Sequence, residues 1–457
     1  MKPATRVIPL VLIAALGCEV QHPAGPRPAL ARVESARGDR ESCSNGERRG
    51  DADGPISLLC VISVPGNPIA SSDIAWVDSR TERYYIADRS NSGVDIIDAE
   101  HDRYVGRVGG FTGGFPTTPG TGGGTATTNG AGPNGVVVTP NQQLWAGDGN
   151  STVRVADVDP DSPTYLQIVA SISTAVDECD DGTVHYCGRA DEIGYDPEHH
   201  IILIAEPTPL THAAPHVASV GAYAMFIAAP GYTLTAVPPY TVLGHHHFHG
   251  AGGLEQPLWD PQLHRFLLTV PNDTALGNVP AIAVINDSTR QVEHTYTLDC
   301  TTLTGTAGGA ITGIALGEEQ HILVSACGYP IILSAATGNP LKVITQVGGG
   351  DEVWFNRGDG RFYVTGPSTA APGLQSLGVI DGERNTWLKN VTDIRGKNPA
   401  AFAENNHIFT VVQITAAIAA GTATDSSTCS VFGVVGKGCI AVYGHSDRAR
   451  HGEREAR

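Results

Sequence analysis

One phrase recurs down the chain and limits what it can fold into: an acid or amide, an apolar residue, a turn of the Asp-Pro kind, then an alternating apolar run. Its clearest copy runs from Arg189 to Glu206, R-A-D-E-I-G-Y-D-P-E-H-H-I-I-L-I-A-E. Further copies span Asp73 to Asp88, Asn134 to Asp148, Glu255 to Val270, Asp351 to Thr365 and Asn398 to Val411. A seventh, Ile311 to Ser325, keeps the apolar pattern without the leading acid or amide. Each alternates with period two, is rich in Val, Ile, Tyr, Phe and Trp, and is bounded by Gly, Pro, Asn and Asp, as β-hairpins are. The starts lie roughly 40 to 64 residues apart, closer to the spacing of propeller blades than to that of most helical solenoids. The expectation is an all-β, seven-bladed β-propeller, with six blades as the alternative count.

Two segments outside the repeats bear on closure. Ile56 to Val64, I-S-L-L-C-V-I-S-V, precedes the first copy and has no partner of its own. Pairing with Gly438 to Tyr443, G-C-I-A-V-Y, would complete the last blade and leave no open sheet edge. The propeller is therefore expected over 56–445. Surplus length falls into three insertions, Phe111 to Gly132, Pro207 to Gly253 and Ala416 to Gly438, of the kind that serve as functional loops. The 55 Gly and 30 Pro fit a turn-dense chain, and no long segment carries a helical apolar stripe.

The N-terminus gives an address. Lys2 and Arg6 precede an apolar run from Val7 to Ala15 that is too short to span a bilayer and reads as an export signal over residues 1–18. Its end, Ala15-Leu16-Gly17-Cys18, resembles a bacterial lipobox, which implies a lipidated Cys18; an ordinary secretory signal cut a few residues later is the alternative. Residues 19–55 have the polar, Pro- and Gly-rich composition of a tether, and 446–457 form a polar tail. The protein is expected to be periplasmic, on the outer surface or secreted, touching membrane only through a lipid anchor. Of nine cysteines, Cys18 aside, eight fall into local couples: Cys43 with Cys60, Cys179 with Cys187, Cys300 with Cys327 and Cys429 with Cys439. In an exported chain these read as disulfides.

Acids outnumber bases by 47 to 29, and losing Lys2 and Arg6 takes the formal charge from −18 to −20. Nucleic acid is an unfavourable partner, because phosphate neutralisation needs a basic face. A small-molecule ligand or substrate, a cation, or a protein of the cell envelope fits better.

The first strand of a propeller blade lines the central channel, so the residues that lead each copy converge near one mouth. They are Asp73, Asn134, Asp191 with Glu192, Glu255, Asp351 with Glu352, and Asn398. Carboxylate and amide oxygens in a ring are the ligand set of a hard divalent cation, Ca²⁺ first among them. In the alternative reading the same side chains cap turns and bond backbone at strand starts. A second constellation is H-H-H-F-H, containing His245, His246, His247 and His249, with His185, His212 and His216 upstream. Imidazoles gathered on one loop can bind Zn²⁺, Cu²⁺ or Ni²⁺, but the flanking glycines argue against a preformed catalytic site. The run is expected as an exposed or rim-facing loop that precedes Glu255, with His199 and His200 as surface residues of a turn. Trp76, Trp145, Trp259 and Trp354 are expected in the core between blades.

Two resemblances add to this. Pro133 to Asn141, P-N-G-V-V-V-T-P-N, and Leu254 to Pro261, L-E-Q-P-L-W-D-P, resemble phrases of the gluconolactonase and senescence-marker-protein family of metal-dependent lactonases. That likeness implies Glu255 and Asn134 as metal ligands, with Asp351 or Asp191 as the third. Asp191, Asp351 or Glu192 would then act as the base in a hydrolase of lactones or related small esters. The family has six blades, and its Glu precedes its Asn in the chain, the reverse of the order here. More broadly, Ala190 to Pro197 and Gly221 to Ile227 are similar to exported propellers of the YncE and YVTN type, which implies a noncatalytic binding or scaffold role as the alternative.

Overall fold

The computed structural model describes Cys43 and residues 54–113, 130–149, 151–176, 188–207, 222–369, 375–392 and 396–445. The export segment, nearly all of the tether, most of the Phe111 to Gly132 insertion, Cys179 with Cys187, His185, His212, His216 and the polar tail lie outside these residues.

The described chain forms seven four-stranded antiparallel sheets, and the protein is a seven-bladed β-propeller. Each repeat supplies the inner hairpin of one blade. The inner strands are Ala75–Asp78, Val136–Val138, Ile193–Asp196, Pro257–Asp260, Ile311–Leu316, Val353–Asn356 and Gly396–Phe402, and each touches its neighbours around a closed ring.

The hairpin chemistry recurs among the blades. In blades 1, 3, 4 and 6 an Asx side chain ends the inner strand and accepts a backbone N–H two residues on: Asp78 from Arg80 at 3.4 Å, Asp196 from Glu198 at 2.7 Å, Asp260 from Gln262 at 2.8 Å, Asn356 from Gly358 at 3.1 Å. One left-handed residue then launches the second strand. Glu82, Gln142, His200, His264, Gln320, Gly360 and Asn406 hold that place in blades 1 to 7, with φ between +53° and +65°. Asp, Asn and Gly are suited to such turns because their side chains mimic the turn or pose no Cβ clash.

Second and third strands read as nearly continuous apolar runs because both faces of every sheet are covered by neighbouring blades. In Ile201–Glu206, Ile202 and Ile204 pack with Trp145, Val153 and Val155 of blade 2. Ile201, Leu203 and Ala205 pack with Phe266, Leu268 and Val270 of blade 4. Outer strands such as Gln291–Thr297 are mostly exposed.

Blade 7 is built from both ends of the chain. Ile56–Ile62 pairs antiparallel with Cys439–His445, from Ile56 opposite His445 to Ile62 opposite Ile440, and forms the outermost strand of that sheet. Deleting 56–62 leaves an unpaired apolar edge. The expected result is loss of the main peak in size-exclusion chromatography in favour of aggregate; an unchanged elution and melting curve would show that closure does not need this strand.

Three predicted cysteine couples are disulfides, Cys43–Cys60, Cys300–Cys327 and Cys429–Cys439, which suit an oxidising compartment. Among the described residues no helix is long and apolar enough to cross a membrane.

The Pro207 to Gly253 segment is not one long insertion. Ala222–Ala228 and Val242–Phe248 are the third and fourth strands of blade 3. The histidine run therefore lies mainly in an outer strand and not on a rim loop: His245 pairs with Met225, His246 with Ala224 and His247 with Tyr223. Imidazoles carry no apolar alternation, so the sequence gives no strand signal there, yet the backbone pairs as in any other edge strand. The rings of His245 and His247 share the face of Tyr223, with centroids 6.0 and 5.8 Å from it. His246 turns to the opposite face beside Phe248, and His249 follows the strand, stacked on His247 at 5.3 Å.

Candidate functional site

The strand starts do meet at one mouth, and the channel behind it has two chemical zones. At the mouth, Asp73 and Asn134 from blades 1 and 2 are joined by a residue the repeats do not announce, Arg89. Its Nε and Nη2 donate to Asn134 Oδ1 at 3.0 and 2.6 Å, and Nη2 also donates to Asp73 Oδ2. Asn134 is fully engaged, since its Nδ2 donates to the carbonyls of Ala131 and Ala190 at 3.0 and 2.7 Å. A second arginine, Arg189, donates to Asp191 Oδ2 at 2.5 Å. Both guanidiniums lie in blade junctions, where an acid-rich ring needs countercharge.

Other leading residues lace the inner strands together. Asn398 Nδ2 donates to the carbonyl of Asp73 at 2.9 Å, Glu352 Oε2 accepts from the Ala75 N–H at 3.0 Å, and Gln256 Oε1 accepts from the Ile314 N–H at 2.8 Å. In blade 5, where the leading acid is missing, Thr312 Oγ1 donates to the Gly350 carbonyl at 2.6 Å. For Asn134, Asn398 and Glu352 this is the strand-start bonding that the sequence offered as the alternative to a cation site. Among the described residues, no three channel carboxylates bring ligand atoms within 4.8 Å of one another. Asp351 stands apart at the outer side of the mouth, 40% exposed in its side chain and 3.6 Å from Lys397 Nζ.

Glu192 is different. It is 3% exposed, and its Oε2 has no hydrogen-bond partner. Burial pushes its carboxyl well above the ordinary value near 4.5, and the charges of Glu255, Asp191, Asp351 and Asp73 push it further. Glu255 is raised by burial and by Asp191 and Asp351, with Arg189 opposing. Asp191 is raised by burial against the pull of Arg189. Glu192, Glu255 and Asp191 are thus raised together, each first by burial and then by the like charges around the mouth.

Below Glu192 the channel opens into a cavity of about 400 Å³. Its walls include Trp76, Tyr195, Trp259, Trp354 and Phe355 from four inner strands, and Glu192, Gln256 and Arg357 also line it. Three of the four tryptophans expected in the core therefore also face the channel: Trp145 is fully buried, whereas Trp76, Trp259 and Trp354 are half-buried. Trp76 and Trp354 meet edge to face at 5.5 Å. Each inner strand exposes alternate residues to the channel, so a side chain at that position belongs to both core and cavity. A second, wider cleft of about 660 Å³ opens over blades 5 to 7, with Asp351, Lys397 and backbone glycines in its lining; aromatic rings are absent from it.

His199 and His200, expected at the surface, are both engaged. His200 Nδ1 lies 2.7 Å from the Tyr195 hydroxyl, and His199 is turned toward Asp196 and Asp287.

No protein-family model matches the sequence. No curated protein matches it either. Among solved structures the chain is similar to the WD40 β-propeller domain of Doa1, with 10% identity and a TM-score of 0.51, over 86% of this chain and 98% of that one. At that identity the likeness speaks to the fold alone: the chain shares its ring of blades with a WD40 propeller.

Proposed function

We propose that this chain is a noncatalytic binding propeller whose channel receives a small organic cation with a flat apolar body. The observation that carries the reading is Glu192: a buried carboxylate oxygen without a partner, set in the wall of an aromatic cavity. An unpaired carboxylate in such a place is costly to ionise, and an ammonium or amidinium head group would supply both the charge and the donor. The tryptophan rings favour the same guest, because the face of an indole attracts a cation and its area buries an apolar body. The cavity is at the lower end of the range for small-ligand sites.

A cation-dependent hydrolase is the competing reading. It asks for three oxygens at one point, while Asn134 Oδ1 accepts from Arg89 and Asp73 is paired with the same guanidinium. The exported, lipid-anchored address belongs to the proposal too, and the mass of the mature N-terminal peptide tests it.

Titrating a panel of aromatic and quaternary amines while following tryptophan fluorescence is the direct experiment, since three of five tryptophans border the cavity. A saturable shift is expected in wild type and a loss of affinity of tenfold or more in Glu192→Gln, about 1.4 kcal/mol or above. Affinity should rise with pH, because binding requires Glu192 to give up its proton. Silence toward every amine, together with Ca²⁺-dependent turnover of a lactone or ester, would replace the binding reading with the hydrolase.

A further inference from the structure

On the face of the ring away from the acid mouth, the inner hairpin turn of blade 3 meets the outer turn of blade 4. Asp196 and His199 come from the first and Asp287 from the second, one residue beyond the strand Val279–Asn286. The two carboxylates are 0% and 3% exposed, and the His199 side chain is 30% exposed. His199 Nδ1 lies 2.6 Å from Asp287 Oδ2 and 3.3 Å from Asp196 Oδ2. One ligand atom from each of the three residues falls within 4.8 Å of the others.

The geometry inside this group is not that of a salt bridge. Neither His199 Nδ1 nor Asp287 Oδ2 is in a hydrogen bond, so the 2.6 Å approach lacks the alignment that an N–H pointing at the carboxylate would give. Two other blade junctions show what an ordinary His–Asp clamp looks like in this ring. His407 Nδ1 bonds Asp102 Oδ1 at 3.0 Å, and His445 Nε2 bonds Asp359 Oδ2 at 2.9 Å, each aligned and each with a single carboxylate. Only between blades 3 and 4, among the described residues, do two carboxylates and an imidazole converge with a buried acceptor left over. Asp196 is held in place from behind, accepting the N–H of Glu198 at 2.7 Å and of His199 at 3.2 Å. Such outer hydrogen bonds orient metal ligands elsewhere. Glu198 is engaged with His264 at 2.8 Å and does not compete for the site.

We propose that Asp196, His199 and Asp287 form a divalent transition-metal site, of the Zn²⁺ class, that staples blade 3 to blade 4. One imidazole nitrogen and two carboxylate oxygens suit Zn²⁺, which takes mixed N and O ligands at four-coordinate centres. Ca²⁺ asks for six to eight oxygens. The partly exposed edge at His199 leaves the fourth position to water. This site is separate from the channel and does not depend on the ligand assigned there.

The test uses the whole protein, stripped with chelator and dialysed. With Zn²⁺ added, metal analysis should find one tightly held equivalent, and the melting temperature should rise by about 3 °C or more at a hundredfold excess over Kd. Ca²⁺ should produce no such rise. Asp287→Asn and His199→Ala should lose the equivalent and the shift, while a His245→Ala, His247→Ala, His249→Ala variant of the outer strand should keep both. Zn²⁺ uptake that survives Asp287→Asn but vanishes in the triple variant would overturn the proposal and move the ion to the histidine strand. No uptake by wild type, with His199 showing the nitrogen shifts of a protonated imidazolium, would overturn it in favour of a plain ion pair.

Discussion

An Arg89→Ala protein should lose about 3–5 kcal/mol of stability, the penalty typical of leaving a buried charge without its partner. Arg89 and Asp73 are 9% and 8% exposed, and Asn134 is fully buried. One guanidinium serves Asp73 in blade 1 and Asn134 in blade 2. Removing it strands an acid in the seam between the blades and leaves an amide oxygen unpaired. Urea unfolding followed by fluorescence reads the change. A companion Asp73→Ala, Arg89→Ala variant should recover part of the loss, since it no longer buries an uncompensated carboxylate. A loss below about 1 kcal/mol in the single variant would place the pair in the class of weak surface ion pairs.

The second large effect has the opposite sign. Glu192→Gln should stabilise the protein at pH 8 by about 1–3 kcal/mol, the usual span for burying a polar group without full compensation. The folded carboxyl of Glu192 is raised above its ordinary value near 4.5, first by burial and then by Glu255, Asp191, Asp351 and Asp73. Between 4.5 and that raised value the unfolded chain has released a proton that the folded chain keeps. Stability therefore falls as pH rises through this window. Glu255, Glu352 and Glu206 are raised in the same direction, each chiefly by burial, so wild type should be more stable near pH 5 than at pH 8. An amide at 192 removes one contribution to that slope. Thermal unfolding at both pH values tests the idea, and a variant less stable than wild type at pH 8 would mean that the ionised carboxylate is welcome where it stands.

The ring of blades was legible in the sequence because its determinants are local. A period-two run, an Asx at the end of the first strand and a turn before the second are all contained in about fifteen residues, and the same left-handed position recurs in every blade. The closing strand was legible for a related reason, since an apolar run without a hairpin partner must find one elsewhere. The site was only half legible. Leading acids and amides mark the mouth, but Arg89 follows a second strand and Arg189 precedes an inner one, so neither repeats at a fixed place. Nothing in the spacing shows that Asn134 would spend its oxygen on a guanidinium and not on an ion. The histidine strand was missed because residue type concealed a backbone pairing that depends on the neighbour Ala222–Ala228. The site at Asp196 was missed because its third member, Asp287, arrives from the next blade, 91 residues later in number.

The seam in blade 7 has a consequence for timing. Ile56–Ile62 is made first and Cys439–His445 almost last, so the earliest apolar strand waits through nearly the whole of synthesis before its partner exists. Contacts of such sequence separation form late and slowly. Both strands of that pair also carry a cysteine bonded to its own flank, Cys60 to Cys43 and Cys439 to Cys429. Two of the three disulfides among the described residues therefore brace the last junction to form, and assembly in a reducing environment should weaken this closure as well as the blade 4 to blade 5 contact that Cys300–Cys327 spans.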